Sequence, residues 1–130
     1  MIIDSSALVA ILLEEPEALR LTTAISRSAI RLLPASCLLE TSTILLGRRG
    51  TQGTYDLDLY AHRARMELVP FSEPQAQIAR VAFARYGKGR HPAGLNFGDC
   101  MAYGAAKETG EELLFKGTAF AQTDIAVAAY

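Results

Sequence analysis

The chain has 130 residues, of which 50% are hydrophobic and 21% are charged, and its formal net charge is −1. This balance is typical of one globular domain with a single core and excludes a disordered chain. The overall charge selects no partner, although a local basic patch would be enough to bind nucleic acid.

Two further features bear on the compartment. The longest uninterrupted apolar run, Ala7 to Leu13, is too short to cross a bilayer, and we expect no signal peptide. Cys37 and Cys100 lie in apolar surroundings without the spacing of a zinc site. We therefore expect two free thiols and a cytoplasmic location, where disulfides are rare.

The first half of the chain alternates short apolar runs with helical periodicity. Met1–Ile3 is a continuous apolar run, which predicts a strand buried on both faces of a parallel sheet. The elements predicted after it are a helix to about Glu15, a helix over Glu17–Arg27, a strand over Ile30–Leu33, a helix over Cys37–Arg48 and a helix over Tyr55–Arg65. Ser36 is predicted to cap the third of these helices, and Gly50–Gly53 to connect it to the fourth.

The second half continues the alternation. The predicted elements are a strand over Leu68–Phe71, a helix over Pro74–Tyr86 capped by Ser72, a loop over Gly87–Gly94, a helix over Asn96–Thr109, a strand over Leu113–Phe115 and a short fifth strand over Ile125–Val127. This order predicts an α/β fold of three layers, α/β/α, with a mostly parallel sheet of four or five strands in one domain over residues 1–130. Ligands bind such sheets at the carboxyl ends of the strands, where Asp4 follows the first strand.

Four acidic residues have apolar neighbours: Asp4, Glu40, Asp99 and Asp124. A structural role is an open alternative for three of them, since Asp4 can cap a helix, Asp99 can offset a helix N-terminus and Asp124 can belong to a turn. Glu40 lies past the first turn of its helix, so capping does not explain it. An unpaired carboxylate on an apolar face would cost several kcal/mol and therefore needs a cation or a hydrogen-bond network.

Taken together, these acids favour a metal site. Converging carboxylates raise each other's pKa unless a positive charge lies between them, and no lysine or arginine is interspersed at these positions. Oxygen ligands without His or Cys select Mg²⁺ or Mn²⁺ over zinc. Mg²⁺ held by a few carboxylates keeps waters, one of which can attack phosphorus. The set predicts phosphodiester hydrolysis or phosphoryl transfer, with all four acids as metal-binding and catalytic candidates.

Four stretches of the chain carry a family resemblance. They are Met1–Ala10, Ser36–Glu40, Ala93–Cys100 and Leu113–Ile125. In this order they resemble the PIN-domain ribonucleases and, more narrowly, the VapC-type toxins of VapBC toxin–antitoxin pairs. The resemblance implies a PIN-like fold, Mg²⁺-dependent endonucleolytic cleavage of RNA, a homodimer, and a VapB-type antitoxin whose tail occupies the active-site groove. Asp4, Glu40 and Asp99 match the first three acids of that family's site.

The chain departs from the family pattern at one place. After Lys116-Gly117, relatives usually carry an acid just before the phenylalanine, whereas Thr118 and Ala119 stand here. The fourth acidic role then falls to Asp124, is shared by water and the Thr118 hydroxyl, or is missing. A missing ligand would weaken a second metal and slow the chemistry.

Substrate contacts are predicted at Ser6, Lys88, Arg90 and Lys116, because RNA phosphates need donors and cations near the site. The alternatives are a helix cap for Ser6 and a solvated surface for the three cations.

Two other functions remain open from the residues. A catalytically weak or inactive PIN-like module that binds RNA or an antitoxin would explain Thr118 and Ala119. A phosphatase or receiver-like domain would use Asp4 with Lys116, but acids on helices, such as Glu40 and Asp99, fit it poorly.

Overall fold

The structure is a computed structural model that describes residues 1–130. Its strands are short, all parallel and joined by helices; they are β1 (Ile2–Ile3), β2 (Leu32–Pro34), β3 (Glu67–Val69) and β4 (Leu113–Leu114). The helices between them are α1 (Ser5–Leu12), α2 (Ala18–Arg27), α3 (Ala35–Arg49), α4 (Thr51–Arg63), α5 (Glu73–Tyr86) and α6 (Phe97–Thr109). A 3₁₀ turn over Phe120–Gln122 follows β4. None of the helices is long and apolar enough to cross a membrane.

The strands lie in the order β3-β2-β1-β4, so β1 is central. Ile2 pairs with Leu32 on one side and with Leu113 on the other. Ile2 and Ile3 are both fully buried, because helices cover the two faces of the sheet. The predicted three-layer α/β fold with a parallel sheet is confirmed. The predicted fifth strand is reduced to a single bridge between Leu113 and Val127.

Two local predictions in the first half of the chain are wrong. Helix α3 begins at Ala35 with Pro34 in the capping position, so Ser36 lies inside the helix and its hydroxyl has no hydrogen-bond partner. The chain already turns at Gly50, whose φ of +63° is the left-handed conformation that glycine adopts without strain. Helix α4 therefore starts at Thr51, and no glycine-rich connector exists.

The topology brings several chain segments to one edge of the sheet. Asp4 directly follows β1, and α3, which carries Glu40, directly follows β2. The amide of Asp4 donates to the carbonyl of Leu114 at 3.0 Å, which fixes the end of β1 beside the end of β4. Because all four strands run parallel, their carboxyl ends share this edge, and Asp4 and Glu40 follow two of them directly.

Candidate active site

Asp4 stands at the junction of β1 and α1 and is only 2% exposed. Its extended backbone makes it the N-cap of α1, and one carboxylate oxygen, Oδ2, accepts the Ser6 amide at 3.0 Å and the Ser6 hydroxyl at 2.6 Å. The other oxygen, Oδ1, has only the Cys37 thiol as a donor, at 4.0 Å. The capping role proposed as an alternative is thus real, but it occupies one oxygen and leaves the other free for a ligand.

Glu40 reaches the same edge from the second turn of α3. Its Oε2 accepts a hydrogen bond from the Ser5 hydroxyl at 2.6 Å, which ties the side chain to the start of α1. Its carboxylate also lies against the first turn of α6. A side chain on Gly98 would put its Cβ 2.5 Å from Glu40 Oε1, so only glycine allows this approach. The helix N-terminus there favours a negative charge.

Asp99 is the third residue of α6 and forms a capping box with Asn96. The Asn96 amide donates to Asp99 Oδ2 at 2.8 Å, and the Asp99 amide donates to Asn96 Oδ1 at 2.8 Å. This exchange holds the carboxylate at the helix N-terminus and satisfies two amides that would otherwise lack partners. As with Asp4, the structural role uses one carboxylate oxygen.

The three carboxylates interact electrostatically. Burial raises the pKa of Asp4 to about 6, with further upward contributions from the charges of Asp99 and Glu40. Burial also raises the pKa of Asp99, and the Glu40 charge adds to it. None of the three forms a salt bridge with a lysine or arginine. The edge of the sheet is therefore a negative site without a compensating cation.

The structure contains no group of three or more His, Cys, Asp or Glu side chains that is already arranged to bind a metal ion. The donor chemistry nevertheless fits a hard divalent cation, because the donors are carboxylate oxygens without a neighbouring basic side chain. The free Oδ1 of the buried Asp4 is the position where a cation would relieve the largest electrostatic cost.

Asp124 has different neighbours. Its carboxylate accepts the Tyr103 hydroxyl at 2.5 Å and pairs with Lys107 at 3.1 Å and Arg85 at 3.8 Å. The hydrogen bond from Tyr103 is the main reason that the pKa of Asp124 lies below its ordinary value, with Lys107 adding to it. The structure thus places Asp124 with a tyrosine and two cations and not with the other three acids. The metal role of Asp124 remains a prediction that rests on the sequence.

The predicted substrate-binding residues fall into two groups. Lys116 pairs with Glu15 and Glu17, and Ser6 uses its hydroxyl on Asp4 while accepting the Lys116 amide at 2.9 Å. Lys88 and Arg90 are exposed and form no salt bridge. Their loop is closed at its base, where the Lys88 amide donates to the Leu95 carbonyl at 2.9 Å, immediately before the α6 cap. Of the four predicted residues, Lys88 and Arg90 are the two whose side chains have no partner within the chain, and phosphate binding by any of the four stays a prediction.

Sequence reasoning missed two residues that build the site. Ser5 supports Glu40, and Gly98 makes room for it. Ser5 adjoins Asp4, so its position next to the site was visible. The need for glycine at position 98 arises only when α3 and α6 are brought together, because no positive φ or turn marks it in the sequence.

A groove of about 670 Å³ opens beside Glu40, between α3 and the start of α6. Its lining is largely apolar and includes Leu39, Phe71 and Phe97. Phe97 is 80% exposed, which is unusual for a phenylalanine in a chain of this size. The acidic edge therefore adjoins an apolar surface that the chain itself does not cover.

A parallel α/β sheet with acidic side chains gathered at the carboxyl ends of its strands has the arrangement of an α/β domain whose ligand site lies at that edge. The PIN domain profile matches residues 1–126, and the chain belongs to the PIN domain family. Within the family it groups with VapC proteins. It is 50% identical over 129 residues to ribonuclease VapC30 of Mycobacterium tuberculosis, covering 99% of this chain and 98% of that protein. It is also 50% identical to ribonuclease VapC of Mycolicibacterium smegmatis, covering 97% and 98% of the two chains.

Solved structures agree on the fold. The crystal structure of VapC20 of M. tuberculosis, described as a toxin that cleaves the sarcin–ricin loop, superposes with a TM-score of 0.78 at 15% identity, over 96% of this chain and 95% of that one. A toxin–antitoxin complex from Klebsiella pneumoniae gives a TM-score of 0.74 at 15% identity, over 99% and 97% of the two chains. These similarities confirm the predicted PIN fold.

Proposed function

We propose that this protein is a Mg²⁺-dependent endoribonuclease that acts as the toxin of a type II toxin–antitoxin pair. One observation carries the proposal: a buried aspartate, Asp4, with one unengaged oxygen, placed beside two other carboxylates and no cation, in a PIN fold. The names of the VapC relatives, which call them ribonucleases, support the reaction class.

In this proposal Asp4 and Asp99 are the principal ligands of a Mg²⁺ or Mn²⁺ ion, and Glu40 contributes a third carboxylate. The bound ion supplies activation of water toward phosphorus and neutralisation of charge on the phosphate. Ser5 holds Glu40 in place, and the Asn96 capping box holds Asp99. Lys88 and Arg90, on the loop before α6, bind phosphates of the RNA strand in a salt-dependent manner.

The test is cleavage of a panel of structured RNAs with and without Mg²⁺. Asp4→Asn and Asp99→Asn are expected to reduce the rate at least a hundredfold, while Lys107→Met, which lies outside the acidic site, keeps wild-type activity. Equal cleavage by wild type and both Asn variants would remove the proposed mechanism.

The antitoxin partner is proposed from the apolar groove beside Glu40. Two solved neighbours are described as a toxin–antitoxin complex and as VapBC2 of Rickettsia felis bound to promoter DNA. A partner segment that covers Phe97 and Leu39 would bury a large apolar area next to the acids and so block RNA. Protection of both residues from solvent in a purified complex would support this assignment.

We also propose a homodimer and a cytoplasmic location. Val81 on α5 is 68% exposed, and a second copy that packs on this helix would bury it. The free thiols of Cys37 and Cys100 are buried and suit a reducing compartment. Sedimentation of the purified protein tests the dimer: a monomer at micromolar concentration would contradict it.

The second candidate is a catalytically weak or inactive module. It is favoured by Thr118 and Ala119, which supply no carboxylate where the resemblance to the family implies an acid. RNA binding that is unaffected by Mg²⁺, together with no cleavage across the RNA panel, would establish it over the nuclease.

A further inference from the structure

Lys116 lies two residues after β4 and touches the acidic site through its backbone. Its amide donates to the Ser6 hydroxyl at 2.9 Å, and that hydroxyl donates to Asp4 Oδ2 at 2.6 Å. A hydroxyl has one proton to give. Because the Lys116 amide occupies an acceptor position of Ser6, the Ser6 proton is directed to Asp4. This relay saturates Oδ2 and leaves Oδ1 for a ligand.

The side chain of Lys116 is held elsewhere. Its ammonium pairs with Glu15 and with Glu17, the latter at 3.2 Å, and all three side chains are about one-third exposed. Glu15 and Glu17 flank Pro16 in the turn between α1 and α2. These three residues form a clamp, Glu15–Lys116–Glu17, that joins the end of β4 to the helix pair that follows Asp4.

The clamp lies in the segment that directly follows β4, beside the acids. Beyond Lys116 the chain turns at Gly117, whose φ is +115°, and continues to the 3₁₀ turn. The strand before Lys116 and the packing of Phe115 on Phe120 also hold this segment, whereas the Lys116 side chain itself is held by the clamp. Loss of the clamp is therefore expected to loosen the bond from the Lys116 amide to Ser6. The ammonium is neutralised by two carboxylates, so it is engaged in structure and not available to a phosphate.

We propose that Lys116 is a positioning residue: anchored by Glu15 and Glu17, its backbone amide orients Ser6 on Asp4 and so presets Asp4 to bind a divalent cation. This inference rests on the proposed function, to which the metal ion belongs. It assigns a positioning role to Lys116, Glu15 and Glu17, which lie outside the group formed by Asp4, Glu40 and Asp99. Groups that orient a ligand in this manner typically change metal affinity about 10- to 100-fold when they are removed.

The experiment compares Mn²⁺ affinity, measured by titration calorimetry, in wild type and four variants. Lys116→Met and the double variant Glu15→Gln/Glu17→Gln both break the clamp and are expected to weaken Mn²⁺ binding by about tenfold. Lys116→Arg keeps a cation for the two glutamates and is expected to restore binding. Lys107→Met is the matched control, since Lys107 is also an ion-paired lysine of similar exposure but has no link to Asp4.

A second readout uses the metal-free protein. Hydrogen exchange of the Lys116 amide, followed by NMR, should accelerate about tenfold in the two clamp-breaking variants and stay slow in Lys116→Arg and Lys107→Met. Amides of the core, such as that of Leu45, should not change, which separates local loosening from global unfolding.

The outcomes separate the two proposals. Absence of Mn²⁺ binding by wild type would overturn the metal site, while the exchange rates would still decide whether the clamp holds the Lys116 amide. Wild-type binding that Lys116→Met leaves within twofold, or an unchanged Lys116 exchange rate, would overturn the positioning role. Unchanged Mn²⁺ affinity together with weakened RNA binding in Lys116→Met would contradict the positioning role and would indicate that Lys116 contacts an RNA phosphate.

Discussion

Replacing Asp4 by Asn should stabilise the metal-free protein at high pH. The pKa of Asp4 is about 6 in the folded protein, against an ordinary value of 3.8. Between these values the folded state binds more protons than the unfolded state, so the free energy of unfolding falls as the pH rises from about 4 to about 6. A difference of two pKa units corresponds to about 3 kcal/mol, lost in full above pH 6.

Asparagine is neutral at every pH and also caps helices well, so Asp4→Asn removes this cost at the expense of part of the Ser6 hydrogen bonding. We expect a net gain of about 2 kcal/mol at pH 8, which is a rise in melting temperature of roughly 5–10 °C for a chain of this size, and a gain below about 1 kcal/mol at pH 4.

The assay is chemical denaturation at pH 4 and pH 8, in EDTA and in Mg²⁺. Mg²⁺ at a hundredfold excess over its Kd should stabilise the wild type by about 2.7 kcal/mol and leave Asp4→Asn unchanged. A change in stability that is the same at both pH values and insensitive to Mg²⁺ would contradict both the raised pKa and the metal site, and would leave Asp4 as a helix cap alone.

Two further substitutions test the geometry around the acids. Gly98→Ala would bring a methyl group within 2.5 Å of Glu40 Oε1, so we expect Mn²⁺ affinity, measured by calorimetry, to fall about tenfold. The free energy of unfolding, measured by denaturation, should change by less than about 1 kcal/mol because alanine favours a helix. Unchanged Mn²⁺ affinity would place Glu40 outside the metal site. Tyr103→Phe removes the hydrogen bond to Asp124 and should lower the free energy of unfolding by about 1 kcal/mol without altering Mn²⁺ affinity. A loss of Mn²⁺ affinity in this variant would indicate that Asp124 is a metal ligand.

The fold was largely predictable because its signals are local. Continuous apolar runs such as Met1–Ile3 mark strands buried on both faces, and the helices between them carry clear periodicity. The wrong predictions concern a helix start for which two neighbouring residues were suitable. Ser36 has the chemistry of a cap, but the backbone of Pro34 was already extended, so the helix began one residue earlier than the serine.

The grouping of three acids at one edge of the sheet was predictable, whereas their surroundings were not, and the roles of these acids as metal ligands stay predictions. Asp4, Glu40 and Asp99 stood out because their neighbours are apolar, and the parallel topology brings them to one edge. The partners of Lys116 and Asp124 could not be inferred, because each pairing joins residues far apart in the chain, as Lys116 with Glu15 and Asp124 with Tyr103. Sequence spacing shows which charges exist but not which of them neutralise one another.

Anomalous diffraction from crystals soaked in Mn²⁺ would show whether the three acids bind a metal ion. We expect a peak about 2.1 Å from a carboxylate oxygen of Asp4 and within the same coordination distance of Asp99, and we expect this peak to be lost in a crystal of Asp4→Asn. A crystal without a peak at these acids, or with its peak at Asp124 instead, would contradict metal binding by Asp4 and Asp99.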